Sequence, residues 1–138
     1  MSETPPRPLP QLDDLNRPFW EGLEAGELRL QRCADCRHLR YPIAETCPRC
    51  LSGDAAWERV SGRATVHSTI VFHQLYHRAF ADEIPYNVSL VELDEGPRMI
   101  SNVVGVAPDA VAVGDRLEVV FERLPEGVTI NRFRVVGR

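Results

Sequence analysis

The chain has 138 residues, enough for one ordinary domain or for a small metal-stapled module joined to a barrel of about 75 residues. Its formal net charge is -4 and all 16 basic side chains are arginine, which disfavours a general grip on phosphate backbones and excludes lysine Schiff-base or general-base chemistry. No apolar run reaches membrane-span length and no charged-then-apolar signal pattern opens the chain, so we expect a soluble cytoplasmic protein with no membrane partner.

Residues 1–12 read as an extended arm, since five of the 11 prolines fall within the first 20 residues. From Asp13 the pattern changes. Asn16 is placed to cap a short amphipathic helix with Pro18 in its first turn, Phe19, Trp20 and Leu23 on one side, and Gly26 as its stop. The aromatic pair is expected to pack on the metal module that follows, with a partner-binding face as the alternative. Leu28 and Leu30 then alternate with polar residues in a strand that delivers Cys33 and Cys36, and Leu39 to Ile43 form the return strand.

Cys33-Ala-Asp-Cys36 and Cys47-Pro-Arg-Cys50 use every cysteine in the chain and make a complete tetrahedral ligand set. A structural Zn2+ is the expected occupant. Such a site is closed, with no position left to activate water or bind substrate, so it argues for architecture rather than chemistry. Four thiolates and one zinc ion would take the net charge near -6. Disulfides are disfavoured in a reducing compartment; iron in a rubredoxin-like site, and with it electron transfer, stays open because soft thiolates also suit iron. His38 lies two residues past Cys36 but is not needed as a ligand. Arg37, Arg40 and Arg49 decorate the knuckles, either solvated or facing an anion.

Leu51 to Asp54 is a turn, Trp57 to Val60 leads out of the ribbon, and the boundary falls near Ser61-Gly62, giving a helix and ribbon over 13–60 and a barrel over 61–138. In the barrel, Val66, Ser68, Ile70 and Phe72 are assigned to one strand face, with His67, Thr69, Val71 and His73 opposite. Tyr86 to Leu93 is the second strand, and Asp94-Glu-Gly-Pro97 turns it into Arg98 to Val106. After an irregular connection over 107–115, Leu117, Val119 and Phe121 alternate cleanly with Arg116, Glu118 and Glu122. Pro125-Glu-Gly127 leads to Val128 to Val136, where a slip near Asn131 and Arg132 suggests a bulge. Five strands fit a small barrel of the OB type, although strand count alone does not separate it from an SH3-like barrel.

The helix with Phe19-Trp20, the run Gly26-Glu-Leu-Arg-Leu-Gln-Arg-Cys33, the Cys47-Pro-Arg-Cys50 knuckle, the Ser61-Gly62 junction, Pro85-Tyr86, Leu93-Asp-Glu-Gly96 and Val113-Gly114 together resemble one family. It is the zinc-ribbon plus OB-fold family known as domain of unknown function 35, and the resemblance runs from about residue 15 to 136. The resemblance implies a mainly β protein: an N-terminal helix and rubredoxin-like zinc ribbon, then a five-stranded OB-fold barrel. It further implies a non-catalytic accessory subunit in a hetero-oligomer with a thiolase-superfamily protein of lipid or steroid metabolism. Such a subunit helps to bind or channel an acyl-CoA substrate while its partner performs thiolysis, acyl transfer or retro-aldol cleavage.

His73, Tyr76, His77, Arg78 and Phe80 crowd the loop between the first two barrel strands, where OB-folds often meet ligands, and the first four are the candidates for contact with CoA or the partner. An ordinary exposed loop is the alternative. Asp94 and Glu95 pair at a hairpin tip, which argues against a catalytic role. No phosphate-cradling glycine loop, Ser-His-Asp arrangement or open metal site is evident, so no catalytic residue is assigned. The rival class is a single-stranded nucleic-acid-binding zinc-ribbon/OB module; the acidic balance and absence of lysine make nucleic acid an unlikely partner.

Overall fold

The computed structural model describes residues 5–137; residues 1–4 of the expected arm lie outside them. Helix α1 (Arg17–Glu24) buries Phe19 and Leu23, four residues apart and therefore on one face. Pro18 sits where its missing N–H costs nothing. Asn16 makes no side-chain cap; its Oδ1 accepts from the Asp13 amide at 2.9 Å and its own amide donates to Asp13 Oδ1 at 2.8 Å, which fixes the turn ahead of the helix. Gly26, at φ 76°, ends the helix and lets the Glu27 amide donate back to the Gly22 carbonyl at 2.8 Å.

The ribbon is a three-stranded antiparallel sheet of β1 (Leu28–Cys33), β2 (Leu39–Arg40) and β3 (Ala55–Val60), in the order β2-β1-β3. The return strand expected to reach Ile43 stops at Arg40, where Pro42, which has no amide to donate, follows closely. The segment expected only to lead out of the ribbon completes its sheet: β3 pairs with β1 from Leu28 opposite Val60 to Cys33 opposite Ala55.

The second sheet holds β4 (Arg63–Phe72), β5 (Tyr86–Leu93), β6 (Arg98–Ser101), β7 (Val103–Val104), β8 (Arg116–Arg123) and β9 (Thr129–Val135), ordered β6-β5-β4-β8-β9-β7. It has six strands, not the closed ring of five expected. The third expected strand breaks at Asn102: β6 pairs antiparallel with β5, whereas β7 pairs parallel with β9. The sheet therefore curls until its two end strands are neighbours in the chain, yet no ladder joins them. Asn102 holds the break, its carbonyl accepting from the Phe133 amide at 3.0 Å and its Nδ2 donating to the Asn87 carbonyl at 2.5 Å.

A second departure lies in β4, where the register to β5 shifts between Val66 and Ser68 and leaves His67 as the extra residue of a bulge. Ala64 and Val66 face inward before it; after it Thr69, opposite fully buried Ser89, faces inward, and Ser68, Ile70 and Phe72 face out. The expected grouping of Val66 with Ile70 and Phe72 is thus overturned, because one inserted residue inverts a period-two pattern. The bulge expected near Asn131 is absent: β8 and β9 keep a continuous register from Leu117 opposite Val135 to Arg123 opposite Thr129. The irregular alternation there reflects Asn131 taking an inward row position, where its Nδ2 meets Met99 Sδ at 3.4 Å.

Helix, ribbon and barrel share one core. Phe19 and Leu23 of the helix, Leu28 and Leu30 of the ribbon, and Leu117 and Phe133 of the barrel belong to the same buried cluster. The chain passes between modules at Gly62, φ 77°, where a Cβ would stand 2.3 Å from Val119 Cγ1.

Candidate metal centre and ligand cleft

Two turns of the same design build the metal centre. In the first, the Arg37 amide donates to the Cys33 carbonyl at 3.1 Å and the Cys33 amide to the His38 carbonyl at 2.9 Å; in the second, Leu51 donates to Cys47 at 2.8 Å and Cys47 to Ser52 at 2.9 Å. Arg37 and Leu51 take matching left-handed conformations, φ 66° and 64°. This repeated geometry aims four thiols at one point. All four Sγ atoms lie within 4.8 Å of one another, with Cys33 to Cys50 and Cys36 to Cys47 each 3.5 Å apart. These separations exceed a disulfide bond of about 2.05 Å and match the S···S edge of about 3.8 Å that Zn–S bonds of about 2.3 Å demand. This cluster of four thiols supports a structural zinc.

Electrostatics fit the same reading. The Cys36 amide holds the Cys33 thiol down to about 6. Burial acts to raise Cys47, but the amides of Cys50 and Arg49 bring it below the ordinary thiol value. The Ser52 amide favours the Cys50 thiolate, yet hydrogen bonding with Cys33 and burial push Cys50 up to about 12. Four adjacent thiols cannot all ionise without a cation among them, and a divalent metal would supply it. His38 is not among the four clustered ligands; burial first, then Arg49, Arg40 and Arg32, hold its imidazole below its ordinary value.

Beneath the second knuckle, the Gln31 side chain pairs with both the amide and the carbonyl of Ala44, at 2.9 and 3.0 Å. Arg40, buried, donates Nη2 to the same carbonyl at 3.0 Å. These bonds pin the loop between the knuckles to the ribbon sheet. Arg37 and Arg49 stand exposed beside a polar cleft of about 420 Å3 between ribbon and barrel.

The loop candidates do not form one pocket. Tyr76 packs against Phe72 with ring centroids 5.5 Å apart, His77 Nδ1 accepts from the Ala79 amide at 3.0 Å, and His73 and Arg78 are exposed. The later half of the loop instead forms a cleft of about 460 Å3 lined by Phe80, Glu83, Pro85 and Tyr86 together with Asn87, Asn102 to Val106, Pro108 and Arg132. Arg7 of the arm reaches the same wall, donating to Glu83 at 2.9 Å with its guanidinium 5.3 Å from the Phe80 ring centre. Arg132, largely buried, lies 2.9 Å from Glu122 and 3.7 Å from Glu83. The 2.9 Å approach through Nε is not aligned as a hydrogen bond, so proximity of charge is the interaction we assign there. Sequence reasoning missed Asn87, Asn102 and Arg132, and only the polar residues interrupting apolar rows hinted at them. Asp94 is structural: its carboxylate is held below the ordinary range by hydrogen bonds from Arg116, at 2.8 and 3.0 Å.

With this architecture in place, the comparisons decide the family. Residues 20–56 match the ChsH2 rubredoxin-like zinc ribbon domain, and residues 57–122 match the ChsH2 C-terminal OB-fold domain. A DUF35 domain-containing scaffold protein of Methanothermobacter thermautotrophicus is 34% identical over 96 residues, 69% of this chain and 71% of that protein. The chain belongs to the DUF35 family. A solved structure described as an Ltp2-ChsH2(DUF35) aldolase is similar to this DUF35 chain with a TM-score of 0.83 and 38% identity, over 94% of this chain and 100% of that one. A probable enoyl-CoA hydratase alpha subunit of Thermomonospora curvata is 43% identical over 108 residues, which are 78% of this chain. The chain spans only about a third of that subunit, 33% of its length. The family resemblance carried by the knuckles and junction motifs is thereby borne out. Among the described residues, no helix is long and apolar enough to cross a membrane.

Proposed function

We propose that this chain is a non-catalytic accessory subunit that docks on a thiolase-like enzyme and helps to hold or channel an acyl-CoA substrate for thiolysis, acyl transfer or retro-aldol cleavage. The observation that carries the reading is the metal centre. Its four positions go to Cys33, Cys36, Cys47 and Cys50, every thiol of the chain, so neither a free thiol nor an open position at this metal remains. Zinc bound there supplies folding energy to the ribbon. The scaffold relative and the two-component aldolase support a hetero-oligomer, and the hydratase subunit supports work on CoA thioesters.

In this reading 1–12 is an arm, 13–60 the helix and ribbon, and 61–138 the OB-type barrel, working in the cytoplasm where thiolates stay reduced. The cleft beside Phe80 and Tyr86 offers an apolar wall to an acyl or pantetheine chain, while His73, Tyr76, His77 and Arg78, which do not line it, are the residues we propose for contact with CoA or the partner. A net charge of -4 weighs against the nucleic-acid alternative.

The test is reconstitution. The purified chain alone should neither cleave nor condense acyl-CoA esters, and turnover should appear with the thiolase-like polypeptide that co-purifies from the native cell. Arg78→Ala or Tyr76→Ala should then raise the apparent KM several-fold without altering the melting temperature. Robust turnover by the isolated chain, or tight oligonucleotide binding that weakens steeply with salt, overturns the proposal.

A further inference from the structure

We propose that the outward face of β4, β5 and β6 is the surface that seats this chain against its partner enzyme, an inference that rests on the accessory-subunit reading above. The bulge at His67 creates this face. It turns Ile70 and Phe72 to the outside and places Thr69 inside, where its Oγ1 hydrogen-bonds Ser89 Oγ at 2.9 Å. A strand that exposes its large apolar residues and buries a hydroxyl reverses the usual economy of a half-buried sheet. Register makes the exposed residues contiguous: Ile70 opposes Val88, Phe72 opposes Tyr86, and Leu90 opposes Ile100. Ile70 is 56% exposed, and Ile100 and Tyr76 are each 69% exposed. Phe72 lies between Tyr76 and Tyr86, 5.5 Å from each ring centre, giving the aromatic cluster typical of an interface centre.

Charge selects the occupant. Two ion pairs border this face at its far end, Arg98 with Glu92 at 3.2 Å and, from β8, Arg116 with Asp94 at 2.8 Å, and Arg63 stands exposed at that same end of β4. Among the described residues, the outward strand rows of the apolar half, Ile70 and Phe72 across to Val88, Leu90 and Ile100, hold no charged side chain to draw a phosphate backbone, and their complement is an uncharged apolar protein surface with a polar rim. A different protein fits better than a second copy, because the solved relative whose whole length aligns here is one component of a two-component aldolase. The occupant is therefore the partner enzyme.

The experiment first recovers the partner with full-length, zinc-loaded chain and identifies it as a thiolase-like polypeptide. Calorimetric titration then measures its affinity for wild type, Ile70→Glu, Ile100→Glu and the control Val113→Glu, whose side chain is 69% exposed in the 107–115 connection. Substitutions at the face should weaken binding at least ~30-fold with unchanged melting temperature, and the control should bind as wild type. Partner binding by Ile70→Glu and Ile100→Glu as tight as by the control overturns this inference and leaves the accessory reading intact. So does a wild-type dimer that Ile100→Glu dissociates without loss of partner affinity. Failure to recover any thiolase-like enzyme overturns both.

Discussion

Leu51 and Gly62 hold the backbone in the same left-handed region, φ 64° and 77°, and their substitutions have opposite expected outcomes. Leu51 is 77% exposed after the second knuckle, so its side chain contributes little packing while its Cβ crowds the backbone. Leu51→Gly removes a strain of about 1–2 kcal/mol and adds about 0.5–1 kcal/mol of unfolded-state entropy, so the zinc-loaded chain should gain up to roughly 1 kcal/mol in denaturant unfolding. A lower midpoint would show that the Leu51 side chain packs usefully. Gly62 has no such freedom, because a Cβ there would meet Val119 Cγ1 at 2.3 Å. Gly62→Ala combines a backbone penalty with a clash and should cost about 2–4 kcal/mol, measured as a lower denaturation midpoint at unchanged slope. An unchanged midpoint would mean that the junction relaxes without cost.

At the scale of elements, Asn87 does the work of a missing strand pair. Its Nδ2 donates to the Val103 carbonyl at 2.6 Å, and its Oδ1 accepts from the Val103 amide at 2.8 Å and from Ser89 Oγ at 2.9 Å. Asn87→Leu strands these buried groups and should destabilise the chain by about 2–4 kcal/mol, with hydrogen exchange at Val103 accelerating beyond the global change. Equal protection at Val103 in both proteins would refute the bridge. The same residue shows where sequence reading stops. Tyr86 to Leu93 was legible because apolar and polar residues alternate, but alternation does not tell a buried bridging amide from a surface one. The knuckles were legible because cysteine chemistry permits few arrangements at that spacing. The His67 bulge was not, since Val66, Ile70 and Phe72 satisfy a period of two with or without an inserted residue. The break at Asn102 depends on partners in β5 and β9, far apart in the chain, and no local pattern encodes it.

Across the whole molecule, the ribbon and barrel meet through a shared core rather than a hinge. Phe19 and Leu23 pack in the cluster that contains Leu28 and Leu30 on one side and Leu117 and Phe133 on the other. The Ser61 amide donates to Glu95 Oε2 at 2.7 Å, and the Val119 amide to the Gly62 carbonyl at 2.8 Å, tying the crossing segment to the barrel. Modules joined in this way should unfold together, so the zinc-loaded chain should melt in one transition by calorimetry. Structural zinc sites contribute roughly 10 kcal/mol or more to small modules, comparable with the roughly 5–15 kcal/mol stability of a whole domain. Chelation should therefore lower the single melting temperature by more than ~10 °C and lower barrel stability along with the ribbon's. Cys47→Ser should reproduce the shift without chelator and abolish partner docking. Two separate transitions, only one of them sensitive to chelator, would show instead that the ribbon folds apart from the barrel and that the shared core contributes little coupling.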